Sequence, residues 1–169
     1  MASLTSVNPR VYSLGSTGVP METETDRYIK NGESWNAGEF LTIDTAGRLR
    51  ECVSDEDAAT GGIKYIALET VADPGADDTT KANVAVIRSD VEFIGNELDG
   101  AVTDANIGTL YGIDVTSNVV TVDVGDEGND AVMITKLMFE KSPIEYGSSD
   151  TQAKVVFKVI PACIDATAV

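Results

Sequence analysis

The chain has 169 residues, a hydrophobic content of 43% and a net charge of −16, with 28 acidic residues, 12 basic residues and no histidine. This length fits one domain with an extension, and the apolar content is that of a folded protein rather than a disordered one. The acidic balance argues against nucleic acids and anionic membranes as partners, because both are recognised through clustered Lys and Arg.

Neither the N-terminus nor the apolar pattern suggests export or membrane insertion. The N-terminus has no basic region followed by an apolar stretch, so we expect no secretory signal and synthesis in the cytoplasm. No run of 18 apolar residues is found. Cys52 and Cys163 are far apart and fit no metal-binding or redox spacing. We expect both to be small buried residues, and the sequence leaves open whether they pair.

Residues 1–27 are predicted to be an extended N-terminal arm. They are rich in Ser, Thr, Gly and Pro, and neither helical nor strand periodicity persists. A frayed terminus is one interpretation. The other is an arm that docks on a partner, because a purely solvated tail would not need so many apolar residues close together. The candidate contact residues are Leu4, Val7, Val11, Tyr12 and Leu14.

Short strands separated by turn signals follow the arm. Alternation of apolar and polar residues predicts strands over 40–44, 48–53, 63–71, 83–94, 107–115, 119–124, 131–139 and 153–160. Gly47 suits the hairpin between the first two strands, and Ser117-Asn118 suits a second hairpin. Leu49 and Val53 are expected to face the core. A short helix is predicted over 99–106, capped by Asp99 or Thr103.

Eight evenly spaced short strands without a long helix predict an all-β fold. We expect a single compact β-barrel or β-sandwich domain over residues 28–169, of a tulip-like or jelly-roll-like form, preceded by the arm. Trp35 and Phe40 are candidate core or subunit-contact residues. A core or subunit contact suits Trp35 better than sugar stacking, since a carbohydrate site usually presents more than one exposed aromatic side chain.

The residue types of common catalytic sites are missing. A nucleophile needs a base, and the usual base, histidine, does not occur. No serine lies in a Gly-x-Ser-x-Gly motif, and Thr60-Gly-Gly62 is too short to hold phosphate. We therefore expect a protein that is not an enzyme and has no cofactor. A hydrolase that uses two carboxylates roughly 5–10 Å apart is a weaker alternative.

Acidic loops raise the question of calcium. Residues 123–130 supply many oxygen ligands, but their spacing does not match an EF-hand loop. A solvated loop is the favoured interpretation here and for the acidic residues at 55–57 and 77–78, so no metal site is expected.

Four strings of residues carry a resemblance to a known family. They are Trp35-x-x-Gly-Glu-Phe-Leu41, Thr45-Ala-Gly-Arg-Leu49, Ile66-Ala-Leu-Glu69 and Val84-Ala-Val-Ile-Arg-Ser-Asp-Val-Glu-Phe93. In their order they resemble the head decoration proteins of tailed phages, also called capsid cement proteins, over about residues 28–139. The resemblance implies a small β domain that forms small oligomers and attaches to the outside of an expanded capsid.

This resemblance sets the functional expectation. We expect a virion protein on the outer capsid surface that stabilises the shell by bridging neighbouring subunits of the major capsid protein. A homotrimer is favoured and a homodimer is the alternative. The second function considered is a receptor-binding or glycan-binding β module of a phage fibre or tail.

Overall fold

The structure is a computed structural model that describes residues 8–15, 17–98, 102–138 and 154–168. Within these residues the chain is nearly all β, so the prediction of an all-β barrel or sandwich is confirmed. The strands are β1 (Arg10–Ser13), β2 (Thr23–Tyr28), β3 (Phe40–Ile43), β4 (Leu49–Glu51), β5 (Tyr65–Ala67), β6 (Lys81–Val86), β7 (Glu92–Leu98), β8 (Leu110–Thr116), β9 (Val119–Asp123), β10 (Val132–Met138) and β11 (Lys154–Val159). A 3-10 turn spans Asp104–Asn106, and one short helix, α1, spans Pro161–Ile164.

The first sheet closes on itself. Its strand order is β1-β7-β11-β10-β8-β9, and β9 also pairs with β7 in parallel through Glu97↔Val122. Five strands therefore form a ring, with β11 between β7 and β10. Because β11 occupies one edge of β7, β1 must lie on the other edge, next to the first half of β7, while β9 pairs with the second half.

The second sheet also curls. Its order is β2-β6-β5-β3-β4, and all of its strand pairs are antiparallel. Directly after β2, Ile29 forms a parallel bridge with Leu49 of β4, and the Lys30 amide donates to the Leu49 carbonyl at 3.0 Å. This bridge brings the two ends of the sheet together.

Two apolar cores result. The larger core lies inside the first sheet and between the two sheets, and Phe40, Phe93 and Phe157 meet there with ring centroids 5.3 to 6.1 Å apart. The smaller core fills the second sheet and contains Trp35 and Leu41. Trp35 and Phe40 are thus both core residues, at 1% and 0% exposure.

The chain changes sheets at residues 87–91. The sequence predicted one strand over 83–94, and that prediction is wrong, since β6 belongs to the second sheet and β7 to the first. A turn separates them, closed by a 3.1 Å bond from the Val91 amide to the Arg88 carbonyl. Ile87 and Val91 are both buried in the larger core, so the apolar pattern continues through the turn without a break.

Local predictions had mixed outcomes. Both hairpins are confirmed, with positive φ at Gly47 (81°), Ser117 (54°) and Asn118 (59°). Val53 was expected to be buried and is instead exposed, because β4 ends at Glu51 before the side chain can reach the core.

The predicted helix over 99–106 is a 3-10 turn over Asp104–Asn106 in the described residues, with Thr103 as its cap. Asp99 lies outside the described residues. The strand predicted over 63–71 is limited to Tyr65–Ala67, and helix α1 was not predicted.

Candidate docking surface

Residues 8–15 and 17–28, here called the N-terminal segment, contain two strands where the sequence predicted none. β1 pairs with β7 through Arg10↔Ile94 and Val11↔Phe93, and β2 pairs with β6. The described part of the predicted arm is therefore built into both sheets. Leu4 and Val7 lie outside the described residues.

Arg88 fixes the connection between β1 and β2. Its guanidinium donates to the carbonyls of Leu14 (3.2 Å), Val19 (3.0 Å) and Pro20 (3.1 Å). The same group forms an ion pair with Asp90 at 3.0 Å, and this hydrogen bond lowers the pKa of the Asp90 carboxyl. A planar guanidinium can satisfy several acceptors at once, so one side chain holds the whole turn in place.

Exposed apolar side chains are concentrated on the N-terminal segment. Of the large apolar residues that are exposed in the described part of the chain, four lie there: Val11, Tyr12, Val19 and Tyr28. Leu14 is half-buried. The other three are Val53, Leu68 and Ile107. Of the predicted contact residues, the structure therefore leaves Val11 and Tyr12 accessible on β1.

The two strands of this segment are also sheet edges. Among the described residues, no named strand pairs with the outer edge of β1 or of β2, although Ile29, just after β2, bridges to Leu49 of β4. Both strands contain a register shift, at Tyr12 in β1 and at residues 25–26 in β2. An edge strand with unpaired backbone groups can accept an added strand from another chain. The segment thus offers both apolar contact area and main-chain hydrogen bonds.

An open groove lies beside β2. It is lined by Glu24, Asp26, Arg27, Tyr28 and Gly47, so it runs between β2 and the β3–β4 hairpin. Within it Glu24 forms an ion pair with Arg27, and this contact raises the pKa of the guanidinium. The register shift places two residues of β2 opposite one residue of β6, and Asp26, one of the two, is exposed. The groove therefore presents an aromatic ring beside groups of both charges.

Two sequence signals for this surface were missed. Val19 and Tyr28 were not among the predicted contact residues, because neither lies in a run with strand periodicity. Arg88 was hidden inside an apolar run that was interpreted as a strand. Its position immediately before Ser-Asp is the one hint of a turn.

The acidic loops use their carboxylates internally. Asp57 accepts from the amides of Ala59 and Thr60, and Asp126 accepts from the Gly128 amide and the Asn129 side chain. Such short-range bonds are typical of Asx turns. In the portion of the chain that the structure describes, no group of three His, Cys, Asp or Glu side chains is positioned to hold a metal ion.

The two cysteines are free thiols in the larger core. Burial raises the pKa of Cys163 to about 11 and that of Cys52 well above its ordinary value. A thiol that stays protonated is a poor nucleophile, so these residues contribute packing rather than chemistry.

The chain matches no model of a protein family, and no curated protein matches it either. Of the helices in the described residues, none has the length and apolar character needed to span a membrane.

Proposed function

We propose that this protein is a non-enzymatic virion protein that binds the outer surface of a phage capsid and bridges neighbouring major capsid subunits. The observation that carries the proposal is the concentration of exposed apolar side chains on the N-terminal segment, which contains two edge strands and a connection between them that Arg88 fixes. Exposed apolar side chains beside unpaired strand edges supply contact area and backbone hydrogen bonds for a partner.

The rigidity of the fold supports a bridging role. Both sheets are closed or nearly closed, and Phe40, Phe93 and Phe157 pack where they meet. A stiff block attached at two points transmits force between them instead of deforming. Many identical copies on a symmetric shell turn a weak single contact into a strong one.

The charge of the protein suits the outside of a capsid. A net charge of −16 would be repelled by packaged DNA and by other copies at short range. On the outer surface the capsid shell separates the protein from the DNA, so the repulsion from DNA is weaker there. We favour a homotrimer at three-fold positions and keep a homodimer as the alternative, following the family that the sequence resembles.

Exchanging one exposed valine tests the docking surface. Val11→Asp places a charge on the accessible face of β1, and Val53→Asp makes the same change outside the N-terminal segment. We expect Val11→Asp to lower the affinity for expanded capsids at least about tenfold, and occupancy in proportion when the protein is well below saturation, since a buried unpaired charge at an interface costs more than about 1.4 kcal/mol. Val53→Asp should bind as the unaltered protein does.

Both variants are first compared by thermal unfolding. Equal capsid occupancy for Val11→Asp and the unaltered protein, at equal stability, would remove β1 from the docking surface. Cryo-electron microscopy of particles assembled with and without the protein then tests location and symmetry. Added density on the outer shell is expected, and particles that lack any such density contradict the proposal.

The groove beside β2 supports a second candidate, a glycan-binding module of a fibre or tail. An exposed tyrosine next to carboxylates and a guanidinium provides stacking and hydrogen bonding for a sugar ring. A glycan array with isolated protein tests this function. Binding that is lost in Tyr28→Ala and kept in Tyr12→Ala would favour it over capsid docking, because both tyrosines are similarly exposed.

A further inference from the structure

Residues 34–38 form a loop that holds the start of the N-terminal segment. The Asn8 side chain donates to the carbonyl of Asn118 (3.0 Å) and accepts from the amide of Val120 (2.9 Å). Asn118 in turn donates to the Ser34 carbonyl at 2.9 Å. The loop, the β8–β9 turn and Asn8 are therefore one hydrogen-bonded unit. A side chain at Gly38 would meet Asn8 and Pro9 at 3.1 Å, so the backbones are closely packed.

The loop is hydrogen-bonded to a buried acidic residue, Glu39, which directly follows it in the sequence. Glu39 is 0% exposed, and its Oε2 accepts from the amide of Asn36 at 3.0 Å. Within the described residues its Oε1 has no hydrogen-bond partner, and neither has the indole Nε1 of Trp35. A buried carboxylate with unused acceptor capacity and no paired cation is costly, whereas the neutral acid is tolerated.

The groups around Glu39 are acidic. Glu51 of β4 accepts from the Ser34 amide at 3.1 Å, and Glu33 accepts from the Glu51 amide at 2.9 Å. Lys30 forms its ion pair with Glu33 at 3.3 Å. Burial, followed by the charge of Glu51, raises the pKa of Glu39 to about 7. Burial and the charge of Glu33 also raise the pKa of Glu51.

We propose that Glu39 is a proton-dependent switch that sets how firmly the 34–38 loop holds Asn8 and the N-terminal segment. When protonated, Glu39 stays buried and the loop stays closed. When Glu39 loses its proton, the carboxylate needs water, and displacement of the loop whose Asn36 amide donates to it would admit water to the site. This inference concerns the attachment of the segment and does not depend on capsid binding.

The direction of the switch follows from the two protonation states. A glutamate in water ionises near 4.5, and the buried one near 7, so the closed loop is favoured at low pH and weakens as the pH rises through 7. The difference between these two pKa values lowers the ratio of closed to open loops by about 300-fold between pH 4.5 and pH 7. The neighbouring Cys52 does not interfere, because its pKa lies well above its ordinary value.

The protein carries its own reporter for the experiment. Trp35 is the single tryptophan and lies at 1% exposure inside the loop, and the chain has no histidine to titrate near pH 7. Fluorescence of the purified full-length protein is measured from about pH 5 to pH 9. We expect a red shift with a midpoint near 7. Hydrogen exchange of the Val120 amide, corrected for its intrinsic pH dependence, should accelerate over the same interval because this amide donates to Asn8.

Three variants decide the outcome. Glu39→Gln stays neutral and should show neither the red shift nor the faster exchange. Glu51→Gln removes the adjacent negative charge and should move the midpoint to lower pH. Glu127→Gln changes an exposed acid beyond the far end of β9 from the β8–β9 turn and should leave the midpoint unchanged. A transition that persists in Glu39→Gln, or a flat profile for the unaltered protein, overturns the proposal. If Glu39→Gln does not fold, the Glu51→Gln variant provides the test instead. A midpoint in Glu51→Gln that equals that of the unaltered protein then overturns the proposal.

Discussion

At the scale of single residues, Phe40 shows how one side chain links the two sheets. It belongs to β3 of the second sheet, yet its ring meets Phe93 of β7 edge-to-face at 5.3 Å. Such an arrangement adds stabilisation beyond the buried area alone. Phe40 therefore contributes to the larger core from outside the ring that encloses most of that core.

Phe40→Ala should lower the free energy of unfolding by about 3–5 kcal/mol, because it leaves a cavity where the sheets meet. Chemical denaturation followed by circular dichroism measures the change. Val53→Ala is the control and should cost little, since Val53 is more than half exposed. A loss below about 1 kcal/mol for Phe40→Ala would contradict tight packing of this ring between the sheets.

Glu39 makes stability depend on pH in a direction opposite to that of most carboxylates. Its pKa rises from an ordinary 4.5 to about 7 on folding. The stability associated with the neutral acid is therefore fully present below pH 4.5 and is lost as the pH rises through 7. Glu39→Gln removes this dependence.

The unfolding free energy of Glu39→Gln, relative to that of the unaltered protein, should rise by up to about 3 kcal/mol between about pH 4 and pH 8, at roughly 1.36 kcal/mol per pKa unit. Urea unfolding at the two pH values measures it. A relative stability that does not change with pH would show that Glu39 keeps the same protonation state in the folded and unfolded chain.

At the scale of elements, the C-terminal helix is positioned by a glycine. Gly62 has φ of 72°, and a Cβ atom there would lie 1.8 Å from the Cys163 carbonyl oxygen of α1. The Ile63 amide donates to that same carbonyl at 3.2 Å. The close approach of these backbones is what ties α1 to the second sheet.

Gly62→Ala should therefore destabilise the protein far more than Gly75→Ala does. Gly75 has nearly the same φ, 73°, but a Cβ atom added there would have no neighbour within 4 Å. Gly75→Ala measures backbone strain alone, about 1–2 kcal/mol. Gly62→Ala adds the displacement of α1, and thermal unfolding of both variants should separate them clearly. Equal losses of stability in the two variants would mean that α1 can be displaced at no cost in free energy.

The turn between β1 and β2 depends on the hydrogen bonds of one side chain, Arg88. Arg88→Met keeps the aliphatic chain and removes the three carbonyl contacts and the ion pair with Asp90. We expect severalfold faster proteolysis within residues 14–20, because the turn loses its fixed geometry. Arg10→Met, which replaces an exposed arginine of β1, is the control. Unchanged cleavage in Arg88→Met would assign the order of the turn to the flanking strands.

At the scale of the whole molecule, the N-terminal segment belongs to the domain. Removing residues 1–27 takes away β1 and most of β2, one strand from each sheet. We expect this truncation to lower the melting temperature sharply or to prevent folding. Removing residues 1–7 leaves both strands in place and should keep the domain folded. A stable domain without residues 1–27 would show that the segment is an appendage after all.

Strands and turns could be predicted from the sequence where local signals mark them. The hairpins β3–β4 and β8–β9 were predictable, because turn residues such as Gly47 and Asn118 stand between alternating strands. β2 was not predictable, because both of its faces are largely exposed and leave no alternation. The sheet change at 87–91 was hidden because both cores are apolar. Glu39 gave no sign of burial, since tertiary packing alone determines it.

The position of β11 has a consequence for synthesis. This strand comes last among the strands, yet it lies in the middle of the first sheet, between β7 and β10. A nascent chain cannot complete the ring until residues 154–159 have left the ribosome. A chain that terminates early therefore exposes two long unpaired edges and is a substrate for chaperones and proteases. Only copies translated past this point can close the first sheet, so the topology separates complete chains from truncated ones.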